Sequence, residues 1–188
     1  FAAIAQLTGI NIIFYYAPLI FEKTHVGGSV LFQTVLTGVV NLIFTIVAFA
    51  MIDRIGRKKL LLGGSAVMGL CMFIIGWLFY KNALDNYLVL IMIFVYIAAF
   101  ACTWGAVLWV YVAEIFPNKI RGNATSFAIF GNWLSNAIVS YTFPIMLSGL
   151  GGATTFFIYG VINALMILFV SRYIFETKGI ALENIEGH

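Results

Sequence analysis

"NLIFTIVAFAMIDRIGRKKLLLGGSAVMGL" (Asn41–Leu70) holds two apolar runs joined by one knot of charge, Asp53–Lys59. Working outward, the same alternation repeats. Apolar runs fall at about 1–21, 30–52, 60–80, 87–113, 121–147 and 152–173, parted by short charged or glycine-rich breaks. At 1.5 Å of rise per residue, all but the first are clearly long enough for a ~30 Å hydrocarbon core. In lipid each span must satisfy its own backbone, so short-looped apolar runs predict helices. The expected class is an all-α membrane protein: six transmembrane helices over residues 1–173, followed by a tail at 174–188. Composition agrees, because only 9% of the 188 residues are charged and 63% are hydrophobic, whereas soluble domains carry about 25% charged residues.

The breaks alternate in charge. Arg54, Arg57, Lys58, Lys59, Lys119, Arg121, Arg172 and Lys178 fall on one side, which leaves only Lys23 and Lys81 for the other. The positive-inside rule makes the basic side and the tail cytoplasmic. A net charge of +3 gives no case for nucleic acid. Cys71 and Cys102 lie in apolar runs and read as structural thiols. His25 and His188 sit in a loop and at the tail end, so no metal or other cofactor is expected. The chain opens on Phe1 with no signal-peptide pattern, which predicts entry part-way along a longer protein.

Counting along the helices places the polar residues in depth. Asn41 lies 12 residues before Asp53, ~18 Å from that boundary. Asn132 lies ~16 Å beyond Arg121, and Asn11 ~16 Å from Glu22. Three carboxamides from three spans therefore share a level near the midplane. Tyr15 and Asn136 follow Asn11 and Asn132 at i+4, on the same helix faces. Trp109 and Trp133 are also intramembrane, away from the interfacial belt. A single amide often serves only to bond helices together, at ~0.6 kcal/mol. Tyr16, Tyr96 and Tyr141 read as packing or interfacial residues, and Gly63-Gly64 and Gly151-Gly152 as close packing or turns. Convergence of neutral amides and indoles, with no mid-span acid or histidine, suits a neutral polyhydroxylated ligand. It does not suit acid–base or metal chemistry, so an enzyme is disfavoured. Asp53, Arg57, Glu114 and Arg121 read as a salt-bridge cluster between cytoplasmic helix ends.

"QLTGINIIFYYAP", "DRIGRKK", "WVYVAEIFPNKIRG", "NWLSN" and "FETKGIALENIE" resemble the sugar porters of the major facilitator superfamily, specifically their carboxy-terminal half, spans seven to twelve. The resemblance implies one six-helix half of a 12-helix fold, a missing amino-terminal half as partner, and alternating access to a sugar held between the halves. It implies sugar contacts at Gln6, Asn11, Tyr15, Asn41, Trp109, Asn132, Trp133 and Asn136. It adds Glu176 to a gating network with Asp53, Arg57, Glu114 and Arg121. The sequence departs from the family at Ala5, Ala106 and Phe175, where Gln, Pro and Pro are usual. The expected function is monosaccharide transport, of a hexose or pentose, with symport and uniport both open. The alternatives are a transporter-like sugar sensor and a half-size transporter acting as a homodimer.

Overall fold

The computed structural model describes residues 1–24, 29–83, 87–116 and 120–178. His25, Asn86, Pro117, Lys119, the tail motif beyond Lys178 and the side chain of Tyr16 lie outside the described residues. Among the described residues seven α-helices follow in order: α1 (Ala2–Gln6), α2 (Ile10–Thr24), α3 (Val30–Ile55), α4 (Arg57–Tyr80), α5 (Tyr87–Phe100), α6 (Ala106–Ile115) and α7 (Arg121–Tyr173). A π-helical turn, Ala101–Gly105, joins α5 to α6. Four stretches among the described residues, Val30–Ile55, Arg57–Tyr80, Tyr87–Ile115 and Arg121–Tyr173, are long and apolar enough to cross a membrane. The last has 53 residues, or ~80 Å of helix, enough for two crossings.

Local chemistry sets these ends. Ser29 opens α3, its hydroxyl accepting from the Phe32 N–H at 3.2 Å, which satisfies one of the orphan donors of a helix start. Gly56 ends α3 and begins α4 with φ 98° and ψ 156°, a region that only glycine enters without strain. The charged break expected over 53–59 therefore narrows to one non-helical residue. The break expected at 148–153 narrows likewise to Gly151 (φ 81°, ψ 162°), which divides α7 into arms at 121–150 and 152–173. Two discontinuities were not expected: the interruption at 7–9 in the first span, and the π-helical turn in the fourth.

The core lies along α4, whose Leu61, Met68, Met72 and Ile75 are shielded completely. It packs against α5 and α7. By contrast α3 turns Gln33 and Thr37 inward and leaves Leu31, Leu42, Ile46 and Phe49 on the outside, as a helix does when lipid is its solvent. Residues 174–178 run back across the start of α4. They bring Glu176 to the backbone N–H groups of Arg57 and Lys58, at 2.8 and 3.1 Å.

Candidate functional site

A cleft of about 340 Å³ opens on one side of the bundle, within the size range of small-molecule sites. Each wall comes from a different part of the chain. The interrupted first span supplies Gln6 and Asn11, and α3 supplies Asn41. Trp109 comes from α6, and the first arm of α7 adds Asn132, Trp133 and Asn136. Of the residues expected at the sugar, all but Tyr15 line this cleft. Tyr15 is exposed beside it and accepts a long 3.4 Å contact from the Asn136 amide.

The amides form a relay. Asn11 Nδ2 donates to Gln6 Oε1, and Gln6 Nε2 donates to Asn132 Oδ1 at 2.8 Å. Gln6 and Asn132 are buried, so each bond in the relay removes a desolvation cost that an unpaired amide would carry. The relay leaves the Asn132 NH₂ and the Asn11 oxygen without a partner among the described residues. An amide has two donors and one acceptor with two lone pairs, so the cleft offers both kinds of site to hydroxyls. Asn136 is more fully used, since its oxygen also accepts from Ser140 Oγ at 3.1 Å. Trp109 and Trp133 remain 40% and 61% exposed, with indole surface available to the apolar side of a ligand. No lining residue is charged.

Several lining residues went unread in the sequence: Ile10, Phe14, Thr45, Phe100, Ala101, Gly105 and Leu108. Helical spacing held the signal for two. Thr45 follows Asn41 at i+4, and Gly105 precedes Trp109 by the same interval. The π-helical turn contributes Ala101 and Gly105, and such turns often occur at functional sites. It is seated on α4. Trp104 Nε1 donates to Ser65 Oγ at 2.9 Å, and Thr103 stands where a β-carbon on Gly64 would be.

The charged residues meet at the start of α4. Arg57 holds Glu114 through two nitrogens, Nε at 3.1 Å and Nη2 at 2.5 Å. Its Nη1 lies 3.0 Å from Asp53. Two expectations need correction. Glu176 joins the cluster as a helix cap, its carboxylate accepting the first N–H groups of α4, rather than as an ion pair. Those N–H groups carry the positive end of the helix dipole, which explains the choice. Arg121 stands apart from the cluster. Its Nε donates to the Phe116 carbonyl at 3.2 Å, and its buried Nη2 has no partner among the described residues.

The described residues thus form a bundle of membrane-length apolar helices with an uncharged, amide-lined cleft. The chain belongs to the sugar transporter family of the major facilitator superfamily: the family described as "Sugar (and other) transporter" matches residues 1–188. The D-xylose-proton symporter of Escherichia coli (strain K12) is 41% identical over 189 residues, which cover 97% of this chain and 38% of that protein. The glucose facilitated diffusion protein of Zymomonas mobilis is 38% identical over 192 residues, 98% of this chain and 40% of that protein. A solved structure of the proton:xylose symporter bound to 6-bromo-6-deoxy-D-glucose matches with a TM-score of 0.88 at 39% identity, over 99% of this chain and 40% of that one. The chain thus spans about two fifths of the length of the relatives it matches.

Proposed function

We propose that this chain forms the carboxy-terminal half of a transporter that moves a hexose or pentose across the cell membrane by alternating access. A second six-helix bundle closes the cleft from the opposite side, and the basic helix ends face the cytoplasm. The observation that carries this reading is the amide relay. Three carboxamides, drawn from the two sides of the interrupted first span and from α7, are held in register with donors and an acceptor to spare. Asn11, Asn132 and Asn41 contact sugar hydroxyls, while Trp109 and Trp133 cover the C–H face of the ring. Arg57, Glu114 and Asp53, with the Glu176 cap, tie the cytoplasmic ends together in one state and part in the other. Relatives named for symport and for facilitated diffusion leave both modes of energy coupling within the family.

The test is calorimetry of the purified full-length protein with pentoses, hexoses and their single-deoxy analogues. A site built to pair hydroxyls rejects analogues that lack them, because its own amides are then left unpaired. We expect saturable binding of at least one pentose or hexose, weakened by removal of particular hydroxyls. Binding indifferent to every hydroxyl, or none at all, overturns the reading.

A further inference from the structure

The first span is interrupted at 7–9, between two cleft amides, Gln6 and Asn11. Gly9 sits in the break with φ +96°, so the backbone there cannot run on as helix. Such a break inside a membrane strands backbone polar groups, which must then be satisfied by other parts of the protein. The Thr8 carbonyl is satisfied twice. It accepts the Tyr96 hydroxyl at 2.6 Å and the Asn163 amide at 3.0 Å. Tyr96 comes from α5 and Asn163 from the second arm of α7. Thr8, Tyr96 and Asn163 are all fully buried, and none of the three lines the cleft.

Asn163 is committed to this task. Its second N–H goes to the Tyr159 carbonyl at 2.8 Å, and its buried oxygen finds no partner among the described residues. A leucine at this position would leave no orphan oxygen, so the amide is there for its donors. The break is also packed tightly from the same side. A β-carbon on Gly9 would lie 3.1 Å from the Tyr159 ring and 3.2 Å from the Met72 methyl.

We infer that Tyr96 and Asn163 are positioning residues for the sugar site: together they grip the Thr8 carbonyl and so fix the offset between Gln6 and Asn11 across the break. The inference rests on the sugar-site reading above. Released, the carbonyl has to turn toward another donor. That turn rotates the start of α2 against α1 and parts Asn11 from Gln6. The relay to Asn132 is then lost although no cleft residue has changed.

The test uses the full-length protein with Tyr96→Phe, Asn163→Leu and the double variant. Thr155→Val serves as control, since Thr155 is also fully buried and, among the described residues, its hydroxyl bonds the Gly151 carbonyl of its own helix, at 2.8 Å. Sugar affinity is read by calorimetry, and mobility of the break by hydrogen exchange over residues 7–13. We expect each single variant to weaken the Kd by a few fold and the double variant by about tenfold or more. Exchange at 7–13 should quicken in parallel, and the double variant should lose its discrimination against deoxy analogues. A residue with a merely structural role lowers the folded fraction, read as stoichiometry, and leaves the Kd of the folded protein alone. Thr155→Val should behave in that way. Unchanged affinity in the double variant, or unchanged exchange at 7–13, overturns the inference. Tyr96→Phe removes a single oxygen, so it keeps the inference open to refutation if Asn163→Leu does not fold. If wild-type protein binds no sugar, the sugar-site reading falls, while exchange at 7–13 still judges the grip on Thr8.

Discussion

Asn132 does two things at once. Its oxygen accepts from Gln6, and its NH₂ faces the cleft unused. Asn132→Ala therefore removes one donor to the ligand and releases Gln6 from the relay. A hydrogen bond contributes about 0.5–1.5 kcal/mol net, a factor of roughly 2–12 in affinity. We predict that Asn132→Ala weakens sugar binding by at least that factor, with little change in folded yield. Calorimetry against one sugar and its deoxy analogue checks it, and the loss should shrink for the analogue that lacks the contacted hydroxyl. Equal affinity in a well-folded variant would reduce Asn132 to a helix–helix contact. Ala5 bears on the same question from the other side. The family resemblance leads one to expect a glutamine there, yet the alanine side chain is buried and off the cleft. A longer side chain there has to displace a neighbour before it reaches a ligand.

At the scale of elements, the join of α3 to α4 is the sharpest feature. Gly56 has φ 98°, and a β-carbon on it would lie 2.5 Å from a Glu176 carboxylate oxygen. Gly56→Ala should cost about 1–3 kcal/mol from backbone strain, and it also pushes the cap away. Glu176→Ala should cost about 0.5–2 kcal/mol as a lost cap. Because the first change already expels the second group, the double variant should cost less than the sum of the two. Unfolding of the detergent-solubilised protein measures all three, and strict additivity would show that the two residues act apart. This pairing also shows what a sequence displays and what it hides. That Asn11, Asn41 and Asn132 come together was readable because helical rise converts residue counts into distance along each helix. Glu176 was tied to the charged cluster only through the family resemblance, and its place as a cap was hidden, because its partners are backbone N–H groups with no letter of their own. Thr45 and Gly105 had the right spacing but no side-chain chemistry to attract notice. The π-helical turn was illegible for a deeper reason. Nothing within Ala101–Gly105 demands it, since it depends on how Thr103 and Trp104 seat against Gly64 and Ser65 of α4. Tyr96 looked like packing because an aromatic residue in an apolar run usually is.

For the whole molecule, sidedness is the property most easily checked. Cys71 and Cys102 are both buried, so background labelling by an impermeant thiol reagent should be low. Lys81 and Lys59 are exposed at breaks on opposite expected faces. In intact cells, Lys81→Cys should react from outside, whereas Lys59→Cys should react only after permeabilisation. Labelling of position 59 from outside would reverse the proposed orientation. The cap on α4 has a further consequence, in time. Glu176 is 119 residues beyond Arg57, and at roughly 5–20 residues per second a ribosome needs about 6–24 s to make that length. For most of that interval a nascent chain already holds α4 while the group that closes its first turn has not yet been synthesised. The start of α4 must meanwhile rely on water or lipid headgroups for its N–H partners. The Arg57 end of the bundle therefore acquires its final geometry only after the second arm of α7 has been made.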